Sequence, residues 1–463
     1  MAALALFALP VRGQTTVPPV LPENVAAELR AARVPLNAIA ISIVPLSGTG
    51  ITVAINEHQP MNPASTMKLA TTMAGLELLG PQYVWRTEAL ATAPLKQGVL
   101  EGDLWLRGGG DPRLVFEDLW LLVQRLRGAG VREIRGDLVL DRSAFEAMPH
   151  DAGAFDGEAL RPYNAGPDAL LLNYKAVSFH FVPDTDARQV RVFALPAISG
   201  MTVPTSVKTS EGPCNDWRAR LGGDFTEPMR PQFRGVFPLS CGDKVWHVNL
   251  FTPVQYAQGL FRSLWEASGG TWGGRARDGV APADARRIAQ HESRPLAEVI
   301  RDINKFSNNV MARQLFLTIG AETTRQPANM ERAQRAVGDW LVSRGLDRRE
   351  FVLENGAGLS RVERITTAGL VRLLVASFNS PLMPELMSSL PIVGVDGTMR
   401  KRVGAAGSAH IKTGLLVDAR AIAGYVLTAS GRRYAIVAFV NHPNAGATQA
   451  ALDALLNWVY VQG

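Results

Sequence analysis

Ser65 and Lys68 stand one helical turn apart in Pro63-Ala64-Ser65-Thr66-Met67-Lys68-Leu69. A hydroxyl and an amine on one helix face can act as nucleophile and base without a histidine. Lysine is scarce, eight Lys against forty Arg, so a Lys inside a sharp local signature is less expected to be surface filler. Pro63 and Ser65 read as the start of a helix that runs through Leu69, Thr72, Met73 and Leu76. A Ser at a helix start ordinarily takes Glu or Gln three residues later. Here that place holds a cation near the positive end of the helix dipole, a local conflict of the kind expected at functional sites. The same field, together with burial, would lower the lysine pKa and leave it basic near neutral pH. Alone, S-x-x-K is frequent by chance.

Two further clusters follow in chain order. Ser307-Asn308-Asn309 lies between an amphipathic helix, roughly 295–305, and another that turns Val310, Met311, Leu315 and Phe316 to one side. By default this is a loop with capping residues. As chemistry, Ser307 would relay a proton between Lys68 and a leaving amine, and Asn309 would hold Lys68 and a substrate amide. Lys412-Thr413-Gly414 lies in the strand-like stretch His410–Leu415. A cation beside a hydroxyl makes a carboxylate-binding edge, and Gly in a strand lets another backbone approach. The backbone N–H groups of Leu415 and Ser65 would then form an oxyanion hole. The plain alternative is an edge-strand Lys with Gly as a bulge.

The elements that must position these clusters are legible at both chain ends. Residues 38–44 and 51–55 read as a hairpin, and the Ser65 helix follows. Residues 409–416, 421–429 and 432–440 read as three strands, with Ser430-Gly431 turning between the last two. A helix over 446–460 closes the chain. The two ends read as one α/β domain, an antiparallel sheet with helices. The middle, 93–290, is Gly- and Pro-rich with short strands at 103–108, 136–141, 174–182, 188–195 and 244–251, and helices near 114–127 and 254–266. It reads as one or two domains inserted into the first.

The 463 residues suggest two to four domains. An apolar fraction of 47% and a charged fraction of 19% are those of an ordinary globular protein. The net charge of +6 is modest for this length, and no dense Lys/Arg run is interleaved with aromatics, so no nucleic-acid partner is expected. Residues 1–10 form an apolar run too short to span a bilayer. It resembles the core of a signal peptide, with Gly13 as a cleavage point but without a basic start. Residues 14–22 read as a linker. Export is expected, to a periplasm or to the outside of a cell wall, with at most peripheral membrane contact. In an exported chain the two cysteines, Cys214 and Cys241, invite a disulfide. Its loop of roughly 28 residues would give about 3.5 kcal/mol in the chain-entropy model. No metal and no cofactor are expected.

The order S-x-x-K, S-x-N, K-T-G is the signature of penicillin-binding proteins and class A β-lactamases. The chain resembles the low-molecular-mass class C penicillin-binding proteins, the D-alanyl-D-alanine carboxypeptidase/endopeptidases of peptidase family S13. About 240 residues separate Ser65 from Ser307, and in this family two inserted domains fill that gap. The segments RGGGDPRL (107–114), GDLVLDRSAF (136–145), YNAGPDALLLNY (163–174), ENGAGLSR (354–361) and VGVDGTMRKR (393–402) also resemble the family.

The resemblance implies an α/β (α+β) fold: a penicillin-binding/β-lactamase-like transpeptidase domain, 23–92 plus 288–463, with two smaller β-rich insertions. These are 93–173 plus 242–287, and 174–241; residues 1–22 precede them as signal-like segment and linker. It implies that Ser65 is acylated, that Lys68 is its base, and that Ser307 and Asn309 move the proton and orient substrate. Lys412 and Thr413 would bind the terminal carboxylate of D-Ala-D-Ala, Gly414 would let the peptide lie along the strand, and Leu415 would give an oxyanion N–H. Asp141, Phe145 and Arg361 would read the stem-peptide side chain, an acid and an arginine suiting the zwitterionic end of diaminopimelate. The implied partners are peptidoglycan stem peptides ending in D-Ala-D-Ala, D-Ala–diaminopimelate cross-links, and β-lactam inhibitors. Asn308 departs from the Asp common at that place. Two alternatives stand beside this reading. A β-lactamase needs a deacylating carboxylate, for which Glu331, Glu350 and Glu354 are available; a non-catalytic peptidoglycan-binding scaffold would not need the intact motifs.

Overall fold

The computed structural model describes residues 21–463. The signal-like run and nearly all of the expected linker therefore lie outside the described residues. The two chain ends build one five-stranded antiparallel sheet in the order Val53–Ile55, Ile39–Pro45, Arg433–Asn441, Ala419–Leu427, Ala409–Leu415. Its central strand is apolar along almost its whole length because both of its faces are covered. Ala435, Val437 and Phe439 point into a core shared with the helices Met67–Leu78, Leu296–Lys305, Asn309–Thr324 and Thr367–Phe378. Tyr434, Ile436, Ala438 and Val440 point the other way, onto the first helix, Glu23–Ala31, and the last, Gln449–Gln462. The Ser65 helix is thus sandwiched between the sheet and its neighbours, buried all round from Met67 to Leu76, with Lys68, Thr71 and Thr72 as its buried polar side chains.

The middle of the chain makes a second, mixed sheet. Its order is Ala276–Asp278, Leu138–Asp141, Leu104–Gly108, Arg86–Ala91, Arg286–Glu292. A third sheet is ordered Val236–Pro238, Ser206–Ser210, Gln189–Leu195, Ala176–Asp184, Lys244–Asn249. Helix Pro253–Ala267 starts at a capping box between Thr252 and Gln255. Its Tyr256, Phe261 and Trp265 join Phe179 and Phe181 of the third sheet in one continuous core. Strand pairing divides the chain differently from the expected boundaries. Arg86–Ala91 and Arg286–Glu292 pair with each other in the second sheet, not with the first. Lys244–Asn249 pairs with Ala176–Asp184 in the third sheet, not with the second. Period-2 patterning marks a strand but does not say which edge will satisfy its backbone groups. Cys214 and Cys241 are joined as a disulfide within the third-sheet region. Among the described residues, no helix is long and apolar enough to cross a membrane.

Candidate active site

Ser65 sits in a 3-10 turn, Ala64–Thr66, that leads directly into the helix Met67–Leu78. The turn is held from outside. Asn62 Oδ1 accepts the Ala64 N–H at 2.9 Å, and Asn62 Nδ2 donates to the Ser360 carbonyl at 2.9 Å. Asn441, at the end of the central strand, exchanges two hydrogen bonds with the Asn62 backbone at 2.7 and 2.9 Å. Ala64 has φ +45°, a left-handed conformation unusual for a residue with a side chain. Backbone strain of this kind persists only where its surroundings over-determine it.

Lys68 is fully buried beneath the serine. Its Nζ donates to Ser65 Oγ at 2.9 Å and to Asn309 Oδ1 at 2.6 Å, and it also reaches the Ala357 carbonyl. Burial, first, and then the Lys412 charge push its pKa well below the ordinary lysine value. The Ala357 carbonyl is aimed by a buried acid that no motif signalled. Glu363 accepts backbone N–H groups from Glu354, Asn355, Gly356 and Gly358 at 2.7–3.1 Å, which wraps 354–358 around one carboxylate.

Ser307 lies between Leu296–Lys305 and Asn309–Thr324 with φ +56°. Asn308 caps the second helix through the Met311 N–H. Ser307 Oγ accepts from Lys412 Nζ at 2.9 Å. The expected link from Ser307 to Lys68 is therefore replaced by one to Lys412, because the left-handed turn carries the hydroxyl toward the edge strand. Lys412 also donates to the Thr413 carbonyl at 2.6 Å, and burial pushes its pKa down to about 7. Thr413 Oγ1 donates to Thr398 Oγ1 at 2.8 Å, adding a hydroxyl that no motif marked. An ion pair between Lys305 and Asp396 ties the Ser307 loop to the segment that carries Thr398.

Gly414 also lies against the turn that carries Ser65. A Cβ there would lie 2.7 Å from the Pro63 carbonyl oxygen and 3.0 Å from Ala64 Cβ. The missing side chain lets the edge strand reach the Ser65 turn itself. Ser65, Ser307, Asn309, Thr413, Gly414 and Leu415 all line one cavity of about 550 Å³. Lys401, Arg402 and Arg420 line it too, and no carboxylate does. Glu331 and Glu350 are paired with Arg335 and Arg372, and Glu354 lies on a neighbouring cavity.

A larger cavity of about 1000 Å³ continues past Ser307, Asn309 and Leu415. Arg361 lines it, stacked 4.5 Å from the Phe155 ring centroid and paired with Asp418 at 3.1 Å. Asp141 and Phe145 do not. Asp141 is 1% exposed and spends its oxygens on Arg107, on Ser143 and on the Ala281 N–H. Phe145 packs over Gly110 beside a separate cavity. The acid in the large cavity is Asp156, with Tyr163 beside it. Burial alone would raise its pKa, but hydrogen bonds from the Glu158 N–H, Tyr163 and Asn164 hold it below the ordinary value. Nothing local in Phe155-Asp156-Gly157-Glu158 marks this acid; only its place on the cavity that Arg361 also lines does.

The family model for the D-Ala-D-Ala carboxypeptidase 3 (S13) family matches residues 21–459. The chain is 31% identical over 417 residues to a D-alanyl-D-alanine carboxypeptidase of Actinomadura sp. (strain R39), covering 85% of this chain and 76% of that one. It is 25% identical over 391 residues to the D-alanyl-D-alanine carboxypeptidase DacB of Haemophilus influenzae, covering 83% and 81%. The crystal structure of penicillin binding protein 4 (dacB) from Haemophilus influenzae superposes with a TM-score of 0.77 at 24% identity, over 95% of this chain and 99% of that one. A predatory endopeptidase of Bdellovibrio bacteriovorus shares the fold more distantly, with a TM-score of 0.53 at 17% identity over 92% and 93%.

Proposed function

Since the chain belongs to the D-Ala-D-Ala carboxypeptidase 3 (S13) family, we propose that Ser65 is its acylated nucleophile and Lys68 the base that activates it. The enzyme is a serine hydrolase, a D-alanyl-D-alanine carboxypeptidase. One observation carries the residue assignment: a fully buried amine of lowered pKa, 2.9 Å from the Ser65 hydroxyl.

Neutral Lys68 takes the Ser65 proton as Oγ attacks the carbonyl of the penultimate D-Ala. The Ser65 and Leu415 N–H groups receive the oxyanion. The C–N bond breaks, and Ser307 passes its proton to the leaving D-Ala amine while drawing one from Lys412, its partner at 2.9 Å. In the second half a water takes the place of the amine. Its proton returns through Ser307 to Lys412, the hydroxide attacks the ester, and Lys68 returns its proton to Ser65. Thr413, Thr398 and the surrounding cations bind the terminal carboxylate. Arg361 and Asp156 read the zwitterionic end of a diaminopimelate side chain in the larger cavity. The same machinery would cut D-Ala–diaminopimelate cross-links as an endopeptidase, and β-lactams would acylate Ser65. The setting is an exported one, a periplasm.

The test is labelling by fluorescent penicillin together with D-Ala release from a pentapeptide. Labelling and release by the wild type, both lost in Ser65→Ala, are expected. Equal labelling of Ser65→Ala would overturn the assignment. The β-lactamase alternative has no carboxylate lining the Ser65 cavity to support it.

A further inference from the structure

A second cavity, of about 540 Å³, lies beside the substrate cavity and is lined by His150, Asn164, Arg313, Gln334 and Asn355 among others. It shares Phe155, Leu359 and Arg361 with the large cavity, so those side chains are the wall between them. Arg313 stands on the Asn309 helix, one turn beyond Asn309, and is 7% exposed. Its Nε is buried without a hydrogen-bond partner, and among the described residues no ion pair holds its guanidinium. Arginine keeps its charge under all ordinary conditions, and a buried cation left uncompensated is strongly destabilising.

Burial disfavours the Arg313 charge, and Glu363 and Glu354 favour it only through space, since neither forms an ion pair with it. Glu363 spends its carboxylate on four backbone N–H groups. Glu354 and Asp151 are exposed on the same cavity without pairing with Arg313, and Asp151 accepts the Gly153 N–H at 2.8 Å. His150 Nε2 donates to the Asn164 carbonyl at 2.7 Å, and burial disfavours its charged form. What remains is a rigidly placed guanidinium with unused donors, lining a cavity next to the one that would hold substrate. That is a receptor for a carboxylate.

We propose that this cavity is a second peptide subsite, in which Arg313 binds a backbone α-carboxylate of the stem peptide beyond the residue read by Arg361 and Asp156. Stem peptides carry such a group where a D-glutamyl residue is linked through its γ-carboxyl, and an amidated form lacks the charge. The inference rests on the peptidase reading above.

The test uses the full chain and two synthetic peptides ending in D-Ala-D-Ala. They differ only in carrying an α-carboxylate or an α-carboxamide on the γ-linked D-Glu. The wild type should favour the carboxylate peptide in kcat/KM by about tenfold or more, the range of a charge-assisted hydrogen bond. Arg313→Gln should bring that ratio to about one, and Arg313→Lys should keep part of it. The ratio is taken within each variant, so a reduced folded fraction cancels. Equal kcat/KM for the two peptides in the wild type overturns the inference, as does a preference that survives in Arg313→Gln. Failure to release D-Ala from either peptide would instead sink the peptidase reading, and the subsite with it.

Discussion

Gly358 lies so close to Ala64 that a Cβ built on it would overlap the Ala64 carbonyl oxygen and fall 2.8 Å from the Ser65 nitrogen. Its φ of +75° also belongs to the left-handed region. The loop that aims the Ala357 carbonyl at Lys68 and the turn that carries Ser65 are therefore one packed unit.

Gly358→Ala should push the Ser65 turn away from Lys68. The second-order rate of penicillin acylation should fall about 100-fold, the cost of misplacing a reacting group by an ångström. Far-UV circular dichroism should keep its native shape. Acylation at the wild-type rate would show that the close approach does not position Ser65.

Lys68→Arg puts a permanent cation in place of the neutral amine and removes the base, because guanidinium does not deprotonate in proteins. Acylation should slow by about 10²–10⁴-fold. Stopped-flow measurement with a chromogenic β-lactam reads this directly, and a rate within a few-fold of wild type would transfer the base role away from Lys68.

The two buried lysines set opposite pH limbs. Lys68 acts when neutral, and its pKa is lowered by burial and then by Lys412. Acylation should therefore decline as pH falls through that lowered value. Lys412 acts in its protonated form, and burial places its pKa at about 7. Acylation should also decline as pH rises past that value, giving a bell. Lys412→Arg holds its proton at every pH and cannot pass it to Ser307, so the residual acylation should be slower and should lack the alkaline limb; an unchanged limb would mean that another group titrates there.

Asp141 and Asp156 should separate structure from recognition. Asp141→Asn places an amide against donors from Arg107, Ser143 and Ala281. It should lower stability by about 2 kcal/mol or more, read by thermal unfolding. Asp156→Asn and Arg361→Ala should raise KM about tenfold for a peptide with a zwitterionic side chain, and much less for one with an uncharged side chain. If Asp141→Asn instead changed peptide selectivity at unchanged stability, the expected role of Asp141 would stand and that of Asp156 would fall.

Ser65, Lys68, Ser307, Asn309, Lys412 and Thr413 are legible in the sequence because each motif is a matter of local spacing on one element, and their order along the chain is itself informative. The strands and helices that carry them are legible for the same reason. Glu363, Thr398, Asp156 and Arg313 are not. None stands in a spacing pattern that marks it: Glu363 and Asp156 take their hydrogen bonds from nearby loop residues, and Thr398 and Arg313 reach their cavities only through the fold.

By itself, then, the chain determined the reaction class: a serine and a lysine one turn apart, a second serine two residues before an asparagine, and a cationic strand edge. Tertiary structure decided the rest. Burial is the largest influence lowering the Lys68 pKa, the property the proposed base needs. The fold gives Ser307 to Lys412, and puts Asp156 rather than Asp141 on the cavity that Arg361 lines. Protonation and substrate reading depend on what surrounds a side chain in space, and local spacing does not encode that.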